Sequence, residues 1–141
     1  MYRFECEGSK WDSFWLVNGS IDFSIIQGGS TPHNENDTPV RLQVGHMGMG
    51  VKHIENKHSH WIKKHKPTVP EFLHFKLGQK GGIYTSNHPE RIEITLHTHP
   101  RLLLVLGYTT HHTLENFFTV ITMFYHKKSP QGRLTGFYLG F

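Results

Sequence analysis

Cysteine is almost absent from this chain: Cys6 is the only one in 141 residues. No internal disulfide can form, and neither a disulfide scaffold nor a Cys-rich zinc site is available, so packing must supply the stability and a reducing compartment is indicated. Also missing is any apolar run approaching the roughly 20 residues that span a bilayer. The opening segment MYRFECEGSK lacks the basic-then-apolar order of a secretory signal, and the chain is expected to be soluble with no membrane span. No internal repeat and no low-complexity segment occurs.

What is present favours one folded domain. The length suits a real core, and 36% hydrophobic with 13% aromatic residues argues against disorder. Basic residues number 15 against 11 acidic ones, giving a formal charge of +4 with the histidines neutral. Polyanions are therefore plausible partners, although a modest basic excess also describes an ordinary surface. The 13 histidines form no terminal run, so a tag does not explain them, and they can add charge as pH falls.

Along the chain, Asn18-Gly19 tolerates positive φ and lies between FWLV and SIDFSII, which predicts an N-terminal β-hairpin over Phe14 to Ile26. The Gly, Pro, Asn and Asp-rich stretch QGGSTPHNENDTP reads as a loop. Residues 1–40 are assigned to this hairpin and loop, part of the same domain, and residues 41–141 to a catalytic module. Gly50 to His65, GVKHIENKHSHWIKKH, is an amphipathic helix ending before Pro67. At 100° per residue, Val51, Ile54, His58, Trp61, Ile62 and His65 share one face, and His53, Lys57, His60 and Lys64 fall on the other. A second short helix is expected from Glu71 to Gly78. Strands follow at GGIYTS and RIEITLHTH, the latter with Ile92, Ile94, Leu96 and Thr98 on one face and Arg91, Glu93, Thr95, His97 and His99 on the other. RLLLVLGY suits a central strand and FFTVITMFYHKK another buried one, with His111 and His112 in the linker between. The tail SPQGRLTGFYLGF is a turn and an edge strand. The whole is an α+β arrangement, with an N-terminal hairpin and one or two helices packed on a mainly antiparallel sheet.

Cleaving RNA without a metal needs a base for the 2′-hydroxyl proton, an acid for the leaving 5′-oxygen, and cationic or hydrogen-bonding groups on the phosphate. Histidine suits either proton role, Lys and Arg neutralise phosphate, and Thr or Tyr hydroxyls orient it. The chain orders these groups as a helix with HIENKH, a strand with ERIEI and a late strand with TVITMFY. In this order, from about Gly45 to Lys128, it resembles the barnase, EndoU, colicin E5/D and RelE-like (BECR) nuclease superfamily, especially its phage-associated and polymorphic-toxin branches. Val51 to His58 is similar to that family's helix signature, and TVITMFY to its late strand. On that resemblance His53 and His58 match the helix histidines, Thr122 the strand threonine and Tyr125 the tyrosine. His126 stands where the family often has proline.

The resemblance implies a metal-independent endoribonuclease, a toxin effector or mobile-element nuclease needing no cofactor. His53, His58, Thr122 and Tyr125 would be catalytic; by the charge or hydroxyl that each offers a phosphate, Lys57, Arg91 and Thr119 are expected to be substrate-binding. It further implies RNA, tRNA included, as substrate, a cognate immunity protein or antitoxin as partner, and action in the cytoplasm, with delivery from another cell or a phage. Plainer readings stand beside it: a basic surface helix with a packed core histidine, and strand threonines that only pack. The same fold could also serve as a non-catalytic nucleic-acid or protein binding module. A zinc hydrolase is a third reading, because His97-Thr98-His99-Pro100 has the H-x-H-P form of JAMM-type isopeptidases, but the serine and aspartate of that motif are missing downstream.

Overall fold

The structure, a computed structural model, describes residues 1–110, 113–125 and 129–141. His111, His112 and His126 lie outside the described residues. The fold is α+β: helices α1 (Gly50–Ile62) and α2 (Val69–Leu77) pack on a mostly antiparallel sheet. Two short strands, β1 (Phe4–Cys6) and β2 (Trp15–Val17), form a separate antiparallel pair. The main seven-stranded sheet has the order β3-β4-β8-β7-β6-β5-β9. Its strands are β3 (Ser24–Ile26), β4 (Thr38–Arg41), β5 (Gly81–Thr85), β6 (Arg91–Leu96), β7 (Leu102–Thr109), β8 (Phe117–Tyr125) and β9 (Arg133–Tyr138). Among the described residues no helix is long and apolar enough to cross a membrane.

The Asn18-Gly19 turn forms as its sequence requires, with φ of 49° and 81° and reciprocal backbone bonds between Val17 and Ser20. Its flanking strands nevertheless part company. β2 pairs with β1, while β3 pairs with β4 at the margin of the main sheet. A tight turn fixes only the local reversal, and burial of Phe23 and Ile26 in the main core decides where the second strand goes. The boundary drawn at residue 40 falls inside β4, so the N-terminal part supplies strands to the same sheet as the rest. Arg41 ties these parts together. Its buried guanidinium bonds Asp22 at 2.8 Å and Glu115 at 2.6 Å and lies over the ring of Phe117.

The apolar run of β7 occupies the middle of the sheet, and β9 closes one edge beside β5. β6 stops at Leu96, leaving His97, Thr98 and His99 exposed in the loop beyond it. The helices cover one face, where Val51, Ile54, Ile62, Phe72 and Leu73 meet Leu104, Leu106, Val120 and Met123 in a continuous core. α2 begins earlier than expected, at Val69, because the Thr68 hydroxyl caps the Glu71 amide and Pro70 fits the first turn. Lys76, with no exposed surface, donates from Nζ to the carbonyls of Thr98 and Pro100 and so pins the β6–β7 loop; burial lowers its pKa to about 8.

Candidate active site

α1 starts without a side-chain cap. The amides of its first turn, which have no partner within the helix, are met by the preceding loop: Val51 donates to the Gln43 carbonyl at 3.1 Å and Lys52 to Val44 at 3.0 Å. The loop folds this tightly because Gly45 and Gly50 both adopt left-handed backbone, with φ of 81° and 83°. One consequence is that the Met47 carbonyl faces the helix. It accepts from His53 Nδ1 at 2.7 Å, and since a carbonyl can only accept, the proton of a neutral His53 ring sits on Nδ1. Nε2 is left as an acceptor, 3.0 Å from the Thr122 hydroxyl.

Two features of β8 make that contact. β4 pairs with β8 only at Val40↔Phe118 and Arg41↔Thr119, so from Val120 onward β8 has no named partner on that side and α1 runs alongside it. In addition, β8 carries a bulge against β7: Val105 opposes Thr122 and Leu106 opposes Val120, leaving Ile121 as the extra residue. Bulges re-aim side chains. Here Val120 and Met123 both enter the core below the helices, while Thr119, Ile121 and Thr122 line hollows on the other face.

That face holds two adjoining rows of cross-strand neighbours. Tyr84, Glu93, Val105 and Thr122 are successive partners across β5, β6, β7 and β8, as are Arg91, Gly107 and Thr119 across β6, β7 and β8. The first row lines a hollow of about 170 Å³ that also contains Arg91, His88 and Gln131. The second lines one of about 380 Å³ beside Gly48 and Met49, again with Arg91 and His88. Strand spacings put Arg91 and Thr122 about 10 Å apart across the sheet and about 7 Å along it, which leaves room for a phosphate between their side-chain ends. The Arg91 side chain is exposed and has no hydrogen bond or ion pair among the described residues.

The residues expected to act together are thus sorted. Thr122 and Arg91 line one hollow, His53 adjoins it through its contact with Thr122, and Lys57 stands exposed one turn beyond His53 on the same side of α1. His53 was placed by helical phase on the solvated face, yet it is half-buried, because it reaches over the unpartnered margin of β8. Thr119 borders the cleft, but its hydroxyl is sealed from solvent without a partner, so as placed it packs and does not present itself to a ligand. Tyr125, two residues beyond buried Met123, shares that residue's face, and its ring lies 4.7 Å from that of Trp61 on α1, away from Thr122.

His58 also belongs to the helix side. Its Nδ1 accepts from the Trp61 indole at 3.0 Å, so the ring is held against the helix as a packing element. Burial lowers its pKa, the charges of His53, His60 and Lys57 add to this, and the Met123 bond opposes it. Burial lowers His74 in the same direction. The unfolded rings, at their ordinary value of 6.5, take up protons before the folded ones do. Stability present above that value is therefore lost as pH falls through the lowered folded values. We expect the urea midpoint to drop as pH falls below the ordinary value of 6.5, and the drop to shrink in His58→Gln; an unaltered pH dependence in that variant would show that His58 does not contribute to it.

One cleft residue escaped sequence reasoning. His88, in the β5–β6 turn, borders both hollows, and its Nδ1 donates to the Pro89 carbonyl at 2.9 Å, leaving Nε2 free. The only signal for it in the sequence was a histidine in a turn just before Arg91. Among the described residues no group of three or more His, Cys, Asp or Glu side chains could hold a metal, the His97-x-His99 pair included. No protein-family model, curated protein or solved structure matches the chain.

Proposed function

We propose that the protein is a metal-independent endoribonuclease, a toxin effector or mobile-element nuclease, that cleaves RNA by attack of a 2′-hydroxyl on the adjacent phosphate. The observation that carries this reading is the Met47–His53–Thr122 chain of hydrogen bonds at the mouth of a cleft containing an unpaired Arg91. His53 Nε2, with its lone pair fixed by the Met47 bond, takes the 2′-hydroxyl proton; the substrate hydroxyl replaces Thr122 as its donor, and Thr122 turns to the phosphate. Arg91 neutralises the phosphate and the dianionic charge that develops on its oxygens, with Lys57 adding to the local field. His88, in its protonated form, delivers a proton to the departing 5′-oxygen. The bond formed is 2′-O–P and the bond broken is P–5′-O, giving a 2′,3′-cyclic phosphate and a 5′-hydroxyl.

The test is a reaction on total RNA and tRNA in EDTA, with product ends read by mass spectrometry. Cyclic phosphate ends that persist in chelator are expected; intact RNA, or cleavage abolished by EDTA, would sink the reading.

A further inference from the structure

A cavity of about 1090 Å³ does not stand apart from this cleft. Its walls are the loop at Ser30 to Pro32, the β5–β6 turn at Thr85 to His88, and the start of β9 at Arg133. Ser86, His88 and Gln131 line both this cavity and the Thr122 hollow, so the two form one groove running from β8 across to β9. The volume lies just above the roughly 300–1,000 Å³ of pockets that hold drug-sized ligands. It therefore exceeds what a single phosphate transfer site requires.

Its chemistry is one-sided. No carboxylate lines it, whereas Arg133 does, exposed and without a hydrogen bond or ion pair among the described residues. The Asn87 side-chain amide is likewise uncommitted there and can both donate and accept. Other hydroxyls of the wall are already spent on the scaffold: Thr85 bonds Thr135 at 2.8 Å, and Thr135 donates to the Ser30 carbonyl at 2.9 Å, which fixes the loop against β9. This end of the groove thus presents a free cation and a free amide. A phosphate needs the first, and a base edge, exposed only when a strand is unpaired, needs the second.

We propose that this trough is a substrate subsite holding the nucleotides of a single-stranded RNA that flank the scissile phosphate on one side, with Arg133 on a backbone phosphate and Asn87 on a base edge. The proposal rests on the ribonuclease reading for the position of the scissile phosphate. Its test uses oligonucleotides with one ribonucleotide in an otherwise 2′-deoxy strand, compared with the matching dinucleotide. Added nucleotides on one side should raise kcat/KM. Arg133→Ala should lower kcat/KM on the long strand about tenfold, mainly through KM, and leave the dinucleotide unaffected. Equal effects on both substrates, or none on the long one, would overturn the subsite.

Should the wild-type protein cleave neither substrate, the ribonuclease reading fails and the trough is judged by binding alone. An all-deoxy single strand followed by fluorescence anisotropy should then bind in a salt-dependent manner, with Arg133→Ala weakening it and reducing the slope by about 0.7. Unchanged binding in the variant, or equal binding of a duplex, refutes the single-strand trough.

Discussion

Replacing His53 with alanine should lower kcat for RNA cleavage by about 10²–10⁴-fold, the usual worth of a positioned proton-transfer group, while KM and the melting temperature change little. The ring is only half-buried and on the polar side of α1, so its removal opens no core cavity. Thr122→Val should also reduce kcat, and Thr122→Ser should restore most of it by keeping the hydroxyl beside Nε2. The double variant His53→Ala/Thr122→Val should lose little more than His53→Ala alone, since groups acting as a unit are not additive. His58→Gln, by contrast, should remain within a few-fold of wild type, because Nδ1 of that ring is committed to the Trp61 indole and the ring packs against α1. Full activity in His53→Ala, or a His58→Gln loss as large as that of His53→Ala, would remove the assignment. In cells, His53→Ala should also relieve any growth arrest that the wild-type protein causes.

The second large effect concerns a residue that touches no substrate. A Cβ on Gly45 would sit 2.2 Å from the Met49 carbonyl oxygen, and one on Gly50 would sit 2.8 Å from the Gly45 Cα. Left-handed backbone costs an alanine about 1–2 kcal/mol before any such clash is counted. Gly45→Ala should therefore lower the melting temperature by roughly 5–10 °C. The folded fraction should be impaired too. Relief of the clash has to open the loop that carries the Met47 carbonyl, which frees His53 to flip or change tautomer, and misplacement on the ångström scale can cost about a hundredfold in rate. Thermal denaturation and single-turnover cleavage, measured on the same preparation, read the two effects separately. If Gly45→Ala melts and cleaves like wild type, the loop is not what orients His53.

Much of the architecture was legible because it follows from local patterns. The phase of Val51, Ile54 and Ile62 specified the buried stripe of α1, and their side chains are in the core. The unbroken apolar run in β7 required cover on both sides, and it is the central strand. The last strand was correctly placed at an edge. Pairing was less accessible. Nothing local distinguishes β2 joining β3 from β2 joining β1, since the same Asn18-Gly19 turn serves either outcome and only the competition for core positions selects one.

The candidate site lies at the limit of that legibility. Its residue types, namely a helix histidine, a strand arginine and a late-strand threonine, are properties of the sequence. Their convergence is not. Strict alternation along TVITMFY puts Thr119 and Thr122 on opposite faces of β8, and the bulge at Ile121 puts both on the same one. Helical phase turns His53 toward solvent, and the early departure of β4 exposes a strand margin over which it can reach. By itself, then, the sequence determined the two helices, the strands from β5 to β9 and most of the reactive groups, because hydrophobic period and backbone propensity act over a few residues. Which groups meet depended on a bulge, a strand end and a left-handed glycine loop, and these are settled only when distant segments pack against one another.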